Sequence, residues 1–452
     1  MLFKDIREKF PESWQLLKYL AYLDLEGVPV GFIKKIMDIK REALENHFQK
    51  LEALSLVNIV TEGNQKILKI SHLIIQDETK KALLEEDRTQ TSKLVEKLIH
   101  EVDHILLNVD DSPANWEKAK KWIHHAEVIV TEAKKSNLSF SEQEELISKI
   151  GSYNYEVKNN YQEAINYWQQ LLDNQKNINP PGNNANVASL YNKIGWAYRR
   201  LEGEKNLKKA LSYLEQALEI NQAIFPPNYA EIASALNRIG SIYVALGGEA
   251  HLRKGFNYKQ EALKMRQAIF SGNDAVIANA LNSMGHIYEL LGGEENLNKG
   301  LKYEKKALRM REALLNEKHL AISLNRIGST YLELGGAENI QKGLSYSEDA
   351  LRIREKIFPD NHSDLAISLD QVGWTYIQLQ GKENIQKGLN SLEEALEMRK
   401  IIFVGAHPDV ATSLNHIGNA YIKLGGKENI LKGLQSQEEA LKIRRILFLV
   451  TT

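Results

Sequence analysis

The sequence predicts an all-α fold, a solenoid of about seven helical hairpins preceded by a small domain of three helices and a β-hairpin. Three observations predict it. A block reading Leu-Asn-x-Ile-Gly-x-x-Tyr, then Leu-Gly-Gly-x-Glu-Asn-Ile-x-Lys-Gly-Leu, then Glu-Ala-Leu-x-x-Arg recurs, with its first glycine at Gly195, Gly240, Gly285, Gly328, Gly373 and Gly418. The separations are 45, 45, 43, 45 and 45 residues, a period characteristic of stacked helical pairs. Each block holds two stripes of helical spacing, and upstream of residue 85 the composition changes to helices followed by alternating β-type runs.

The first helix of a block is set by Leu236, Ile239, Gly240 and Tyr243, spaced i, i+3, i+4, i+7 on one face. The second runs from Leu252 through Gly255, Tyr258, Ala262, Met265 and Ile269. Small residues at Gly240, Gly255 and Ala262 let two helix axes approach closely. Between the helices, Gly-Gly pairs such as Gly247-Gly248 and Gly335-Gly336 supply the positive φ that closes the first helix. Asn206, Asn296, Asn339, Asn384 and Asn429 then stand where a side-chain oxygen accepts a free backbone N–H as an N-cap. This turn is not a phosphate loop, which requires Gly-x-x-x-x-Gly-Lys-Ser/Thr after a strand; the chain contains no such motif.

The order of large and small residues, Leu236, Ile239, Gly240, Tyr243, Gly255 and Ala262, resembles the tetratricopeptide repeat. The resemblance implies a right-handed superhelix whose first helices line a concave groove. Two departures stand out: the turn is three residues longer than the family's, and the first small site of the second helix is Gly. Among subfamilies the kinesin light chain is similar, on the run His407-Pro408-Asp409-Val410-Ala411-Thr412-Ser413-Leu414-Asn415. Leu146, Ile150-Gly151, Tyr161, Ala164, Tyr167 and Leu171 make a further unit with a short turn at Lys158-Asn159-Asn160. Residues 177 to 186 read as a loop from Pro180-Pro181-Gly182-Asn183-Asn184. No polar capping helix follows the last unit, so its apolar face is expected to be exposed, covered by a partner, or cut.

The first 85 residues form a separate region, with helices at residues 14–25, 30–37 and 41–54 and β-type runs at 56–60 and 67–70 around hairpin chemistry. Three helices and a β-hairpin describe a winged helix. Leu16-Leu17-x-Tyr19-Leu20-Ala21, then Leu51-Glu52-Ala53-Leu54-Ser55-Leu56-Val57, then His72-Leu73-Ile74-Ile75-Gln76 resemble the winged-helix module of NB-ARC (NLR-like, STAND) ATPases. Trp122-Ile123-His124-His125-Ala126 resembles the opening of the helical region that follows it there. The resemblance implies domains at 1–85 (winged helix), 86–144 (helical connector) and 145–452 (repeat array), and an ATPase core that is absent here. It makes an NTPase domain in trans a partner class and gives His72 a nucleotide-linked role. The competing reading of His72 is a polar residue at a strand-to-helix junction.

Over 452 residues, 58 basic and 59 acidic residues nearly cancel, which argues against a general nucleic-acid binder. Glu42, Glu45 and Glu52 on the third helix weaken phosphate attraction further. The absence of cysteine excludes disulfides and thiolate metal sites. No signal peptide or membrane-length apolar run is present, so a cytoplasmic location without membrane association is expected. No catalytic constellation emerges. His124 and His125 are adjacent, pointing about 100° apart on a helix; His319, His362 and His407 fall at inter-repeat loops, where capping explains them. Glu393-Glu394 and Glu438-Glu439 read as solvated faces. Neither a cofactor nor a metal site is predicted, and no enzymatic activity is expected.

The candidate site is therefore the groove. One polar residue per unit, Asn192, Asn237, Asn282, Asn325, Asp370 and Asn415, precedes the glycine by three. One residue beyond the glycine lie Trp196, Ser241, His286, Ser329, Trp374 and Asn419, and Arg199 lies one turn further on. In kinesin light chains the corresponding Asn residues hold a peptide backbone, and the resemblance implies the same here. An amide donates to C=O and accepts from N–H, so such residues equally bond neighbouring helices; both roles stay open. Trp196 and Trp374 add interface-type anchors. Arg266, Arg311, Arg354, Arg399 and Arg444 form a second ladder, either inter-repeat ion pairs with periodic acidic residues or an anionic-ligand stripe. The sequence thus points to a protein-interaction scaffold or sensor that captures a peptide or protein. The alternatives are a regulatory C-terminal fragment of an NLR-like ATPase and a winged-helix transcription regulator.

Overall fold

The computed structural model describes residues 2–25, 27–62, 65–86, 88–106, 113–135, 141–178, 184–226, 230–269, 275–314, 317–358, 360–403 and 405–451. Among them are twenty-one helices and three strands, in two compact units, Met1–Ile224 and Phe225–Thr452. The boundaries expected at residues 85 and 144 both fall within the first unit.

In that unit α1 (Leu2–Lys9) and α2 (Pro11–Ala21) precede β1 (Val28–Pro29), α3 (Val30–Met37), α4 (Arg41–Ala53), β2 (Val57–Glu62) and β3 (Gln65–Ile70). The sheet has the order β1-β3-β2, antiparallel throughout, with Val28 opposite Leu68 and Val57 opposite Ile70. Strand β1 has two residues, too few to show an alternation in sequence. Helices α5 (Leu73–Glu86), α6 (Arg88–Leu106) and α7 (Pro113–Lys135) follow, then two hairpins, α8 (Ser141–Glu156) with α9 (Tyr161–Ile178) and α10 (Ala185–Arg200) with α11 (Glu204–Ile224). One apolar core runs from Ile6 to Ala217 through all of these parts, so connector and first hairpins bury their faces together with the N-terminal helices. In the short turn Asn159 takes φ 52°, and Asn160 Oδ1 accepts the Glu163 N–H at 3.3 Å. The expected loop is shorter than read: α9 runs to Ile178 and α10 starts at Ala185, while residues 179–183 lie outside the described residues.

The second unit holds five hairpins: α12 (Ala230–Leu246) with α13 (Glu249–Ile269), α14 (Ala275–Leu291) with α15 (Glu294–Ala313), α16 (Glu317–Leu334) with α17 (Ala337–Ile357), α18 (Ser363–Leu379) with α19 (Lys382–Ile402), and α20 (Pro408–Leu424) with α21 (Lys427–Thr451). Their glycines meet face to face. A methyl carbon on Gly255 would stand 2.9 Å from the Gly240 carbonyl oxygen, and one on Gly388 2.5 Å from that of Gly373. Beyond three of these crossings tyrosines stack, Tyr243 on Tyr258 at 5.6 Å, Tyr288 on Tyr303 at 5.8 Å and Tyr331 on Tyr346 at 5.7 Å.

The turn works differently from the expected N-cap. The second helices start earlier, at Glu294, Ala337 and Lys382, after Gly293, Gly336 and Gly381 with φ near 80° and no side-chain cap. The asparagines therefore sit inside the first turn and donate backwards: Asn296 Nδ2 to the Gly292 carbonyl (2.8 Å), Asn339 to Gly335 (2.9 Å), Asn384 to Gln380 (2.8 Å) and Asn429 to Gly425 (2.9 Å). They satisfy carbonyls at the end of the first helix, which otherwise lack intrahelical donors. On α21, Ile430, Leu431, Leu434, Leu441 and Ile446 are exposed. No helix among the described residues is long and apolar enough to cross a membrane.

Candidate binding site

Within the second unit the first helices touch in a row, α14 with α16, α16 with α18 and α18 with α20. Their shared face carries the candidate residues, in two layers. Asn282, Asn325 and Asp370 form the deeper layer and are buried. Asn282 Nδ2 donates to Ser323 Oγ at 3.1 Å and Asn325 Nδ2 to Ser368 Oγ at 3.0 Å, while Ser413 Oγ donates to Asp370 Oδ1 at 2.9 Å. Each serine lies on the next first helix, so at these three positions the geometry is that of bonding the stack. Asn237 is half-buried and its Oδ1 accepts from Lys259 Nζ at 3.1 Å; Asn415 is half-buried as well.

The arginine ladder joins the same junctions. Arg311 donates to Ser323 Oγ at 2.6 Å and to the His319 carbonyl at 2.7 Å, and Arg354 to Ser368 Oγ and the Asp364 carbonyl, both at 2.7 Å. Arg399 bonds Ser413 Oγ and the Asp409 carbonyl and pairs with Asp370 at 3.0 Å. These three guanidiniums are buried. What they hold is a hydroxyl and a helix-start carbonyl; the expectation of pairing with periodic acidic residues holds only at Asp370. A carboxylate there fits the low dielectric because it meets two donors and a cation. Burial opposes ionisation of Asp370, but the His416 hydrogen bond and the charges of His416 and Arg399 hold its carboxyl below the usual range. The junction serines are functional residues the sequence reading passed over, although Ser323, Ser368 and Ser413 recur two residues before the Asn/Asp ladder.

The shallower layer is half-buried. His286 Nδ1 lies 2.8 Å from Glu289 Oε2, which also takes Arg326 at 3.2 Å. Burial raises the Glu289 carboxyl, and His286 and Arg326 outweigh it, so the net displacement is downward. Behind them Glu304 is buried, accepting from Thr330 Oγ1 at 2.9 Å, and burial pushes its carboxyl up to about 7. Gln371 Nε2 donates to Ser329 Oγ at 2.6 Å. Trp374 is stacked by His416 at 4.5 Å and 18°, with Lys423 Nζ 5.8 Å from its centre.

In the first unit Trp196 and Arg199 are half-buried, the guanidinium lying 4.8 Å over the indole. Asn192 Nδ2 donates to the Ala188 carbonyl one turn back at 3.1 Å. His72 is exposed just ahead of α5, and its carbonyl accepts the Ile75 N–H. The neighbouring Gln76 does the holding there, donating from burial to the Leu23 carbonyl at 2.7 Å. His125 is buried with Nδ1 accepting the Asp24 N–H at 2.9 Å, and burial lowers its pKa to about 4. His362 and His407 cap α18 and α20 through Nδ1. No cluster of three or more potential metal-ligating side chains occurs among the described residues.

No family model matches the chain, and no curated protein matches it. Among solved structures it is similar to aspartyl phosphate phosphatase F from Bacillus subtilis, at 14% identity over 97% of this chain and 94% of that one, with a TM-score of 0.50. It is similar also to a STAND protein with a tetratricopeptide repeat sensor from Pyrococcus horikoshii, at 18% identity over 100% of this chain and 67% of that one, TM-score 0.49. A third is the Rap conjugation gene regulator of plasmid pLS20 in complex with the Phr* peptide, at 17% identity over 79% and 96%, TM-score 0.45. Likeness at such identities speaks to fold alone, and together with the paired helices, facing glycines and 45-residue period it gives the conclusion: this chain has the fold of a tetratricopeptide-type helical-repeat protein.

Proposed function

We propose that the chain is a non-enzymatic interaction scaffold or sensor whose first-helix face captures a peptide or protein. The observation that carries the reading is Trp374, an indole on an otherwise polar helix row, fixed in orientation by the stacked His416 and flanked by Lys423. An aromatic held in place loses little entropy on binding and acts as an anchor. His286, Asn415 and the Ser329–Gln371 pair supply polar contacts beside it, while Asn282, Asn325 and Asp370 set the spacing of the helices that present them. Trp196 with Arg199 offers the equivalent anchor in the first unit. Residues 1–85 serve as a winged-helix module and 86–144 as a connector into the array at 145–452, supported by the helix order and the β1-β3-β2 sheet. An NTPase domain on another chain is a partner class for that module.

The test is selection of displayed peptides on the full chain, followed by affinity measurement with Trp374→Ala. The expected loss is tenfold or more, the scale of a hot-spot residue costing about 2 kcal/mol. Lys342→Ala, in an exposed pair with Glu338 on α17, leaves affinity unchanged. Selected peptides that bind Trp374→Ala as tightly as the parent chain refute the reading.

A further inference from the structure

Three successive junctions of the second unit are built from one triad: an Asn or Asp on a first helix, an Arg on the second helix of the same hairpin, and a buried Ser on the next first helix. They are Asn282–Arg311–Ser323, Asn325–Arg354–Ser368 and Asp370–Arg399–Ser413. The register is constant, the serine standing two residues before the next member of the Asn/Asp ladder. An apolar stripe on the second helix lies beside the arginine. In the junction of α19 with α20, Ile385, Leu389 and Leu396 are 6%, 3% and 7% exposed and share one cluster with Val410, Ala411 and Leu414 of α20.

The hairpin of α20 and α21 carries the same frame one period on. Asn415 and Arg444 stand 45 residues after Asp370 and Arg399, and Ile430, Leu434 and Leu441 stand 45 after Ile385, Leu389 and Leu396. Helix α20 packs on the other side of α21, where Gly433 faces Gly418. The stripe itself is open, with Ile430, Leu434 and Leu441 at 43%, 47% and 50% exposure. Arg444 is exposed as well, where Arg311, Arg354 and Arg399 are buried beneath the serine-bearing helix. Residues 427–451 all belong to α21, so no later segment among the described residues lies over the stripe. The register specifies what fits there. The stripe takes branched aliphatic side chains at the spacing of Val410 and Leu414, and close approach takes a small residue in the place of Ala411. Arg444 and Asn415 take a hydroxyl in the place of Ser413, a charge-assisted bond on the arginine side. An exposed apolar patch rimmed by polar groups marks an interaction surface, and an amphipathic helix fills such a surface with anchors at i, i+3 and i+4.

We propose that this face of α21 docks an amphipathic helix of another polypeptide, patterned Val-Ala-x-Ser-Leu like the start of α20, with its serine on Arg444. The contact continues the interface of α19 with α20. In a second copy α14, α16, α18 and α20 are each already packed against the preceding second helix, so none of them is free to serve. The assignment stands apart from the groove reading, because a stripe on a second helix needs no peptide on the first helices. The experiment is a fluorescence-anisotropy titration of a labelled, stapled helical peptide with the sequence of residues 407–424 against the full chain, and saturable binding is expected. Leu434→Asp with Leu441→Asp in the chain, both at exposed positions and with helicity checked by circular dichroism, weakens it roughly a hundredfold, since each carboxylate is buried unpaired. Arg444→Gln in the chain and Ser413→Ala in the peptide each weaken it about tenfold, the scale of one hydrogen bond to a charged group, and together no more than either alone. Absence of saturable binding to the parent chain, full-strength binding to the folded double variant, or equal binding of the Ser413→Ala peptide overturns the proposal. Sedimentation equilibrium reads the other occupant: a dimer of the parent chain that Leu441→Asp dissociates gives the face to a second copy and overturns it too.

Discussion

Gly388→Ala tests whether the facing glycines set the helix spacing. The new methyl carbon would stand 2.5 Å from the Gly373 carbonyl oxygen and 2.9 Å from Ile377 Cγ1. A carbon and a carbonyl oxygen rest at roughly 3.3–3.6 Å, so α18 and α19 must separate by about 0.8 Å at the crossing, with rigid backbone on both sides. A gap of that size forfeits about a quarter to a half of each dispersion contact across the interface. Overpacking of this kind costs about 1–3 kcal/mol, here toward the upper end, whereas replacing a mid-helix glycine by alanine gains about 1 kcal/mol. The net expectation is destabilisation by about 2 kcal/mol. Repeat arrays open locally, so the assay is hydrogen exchange read by mass spectrometry on peptides from residues 363–402 of the full chain. Exchange there should rise roughly thirtyfold, with little change in residues 230–269. Gly31 in α3 is the control: nothing lies within 4 Å of an added methyl, so Gly31→Ala should be neutral or stabilising. Unchanged or greater protection over residues 363–402 in Gly388→Ala would falsify the steric argument.

Two more outcomes follow from particular residues. Gln380 closes α18 at φ 60°, ψ −178°, a region reserved for glycine, which fills the corresponding place at Gly335 and Gly425. The strain is about 1–3 kcal/mol, so after the chain-entropy cost of glycine Gln380→Gly should stabilise α18–α19 by about 1 kcal/mol; slower exchange of that hairpin is the readout, and faster exchange contradicts it. Glu304 gives a pH dependence. With its folded-state carboxyl raised to about 7 by burial, the folded chain holds a proton that the unfolded chain has lost, so the contribution of Glu304 to stability is greatest below about pH 4.5 and is lost as pH rises to 7, by at most roughly 3 kcal/mol. Urea midpoints at pH 5 and pH 8 should differ less in Glu304→Gln than in the parent; equal differences remove Glu304 as the cause.

The architecture was legible because its cause is local and repeated. Glycine at a crossing leaves no alternative spacing, and a turn ending in Gly, Gly-Gly in four blocks and Glu202-Gly203 or Gln380-Gly381 in the other two, interrupts the helical stripe at the same place. The asparagines of the turn were read with the wrong polarity for an equally physical reason. An Asn near a helix start suggests an acceptor for free N–H groups, but the glycine at φ 80° lets the helix begin three residues sooner and turns the amide back toward the preceding carbonyl. The arginine ladder suggested acidic partners because charge is what composition shows. The partners of Arg311, Arg354 and Arg399 are a serine hydroxyl and a backbone carbonyl from the following hairpin, joined at Arg399 by the Asp370 carboxylate, and among the hydroxyl and carbonyl partners only the serines leave a periodic trace. The two layers of the candidate face were not separable from sequence, since an Asn facing a peptide and an Asn facing the next helix stand on the same helical stripe.

The polar junctions bear on how such a face would bind. An apolar junction tolerates sliding, whereas Asn282, Ser323 and Arg311 satisfy one another only in one register. A half-satisfied buried network is costly, so the three complete triads hold successive first helices at fixed spacing and keep Trp374, His286 and Asn415 where they are. The Asn237–Arg266 junction has the same frame without its hydroxyl. Stability in a repeat array is a sum of unit and neighbour-interface terms, so each complete triad contributes to the interface term of its own junction.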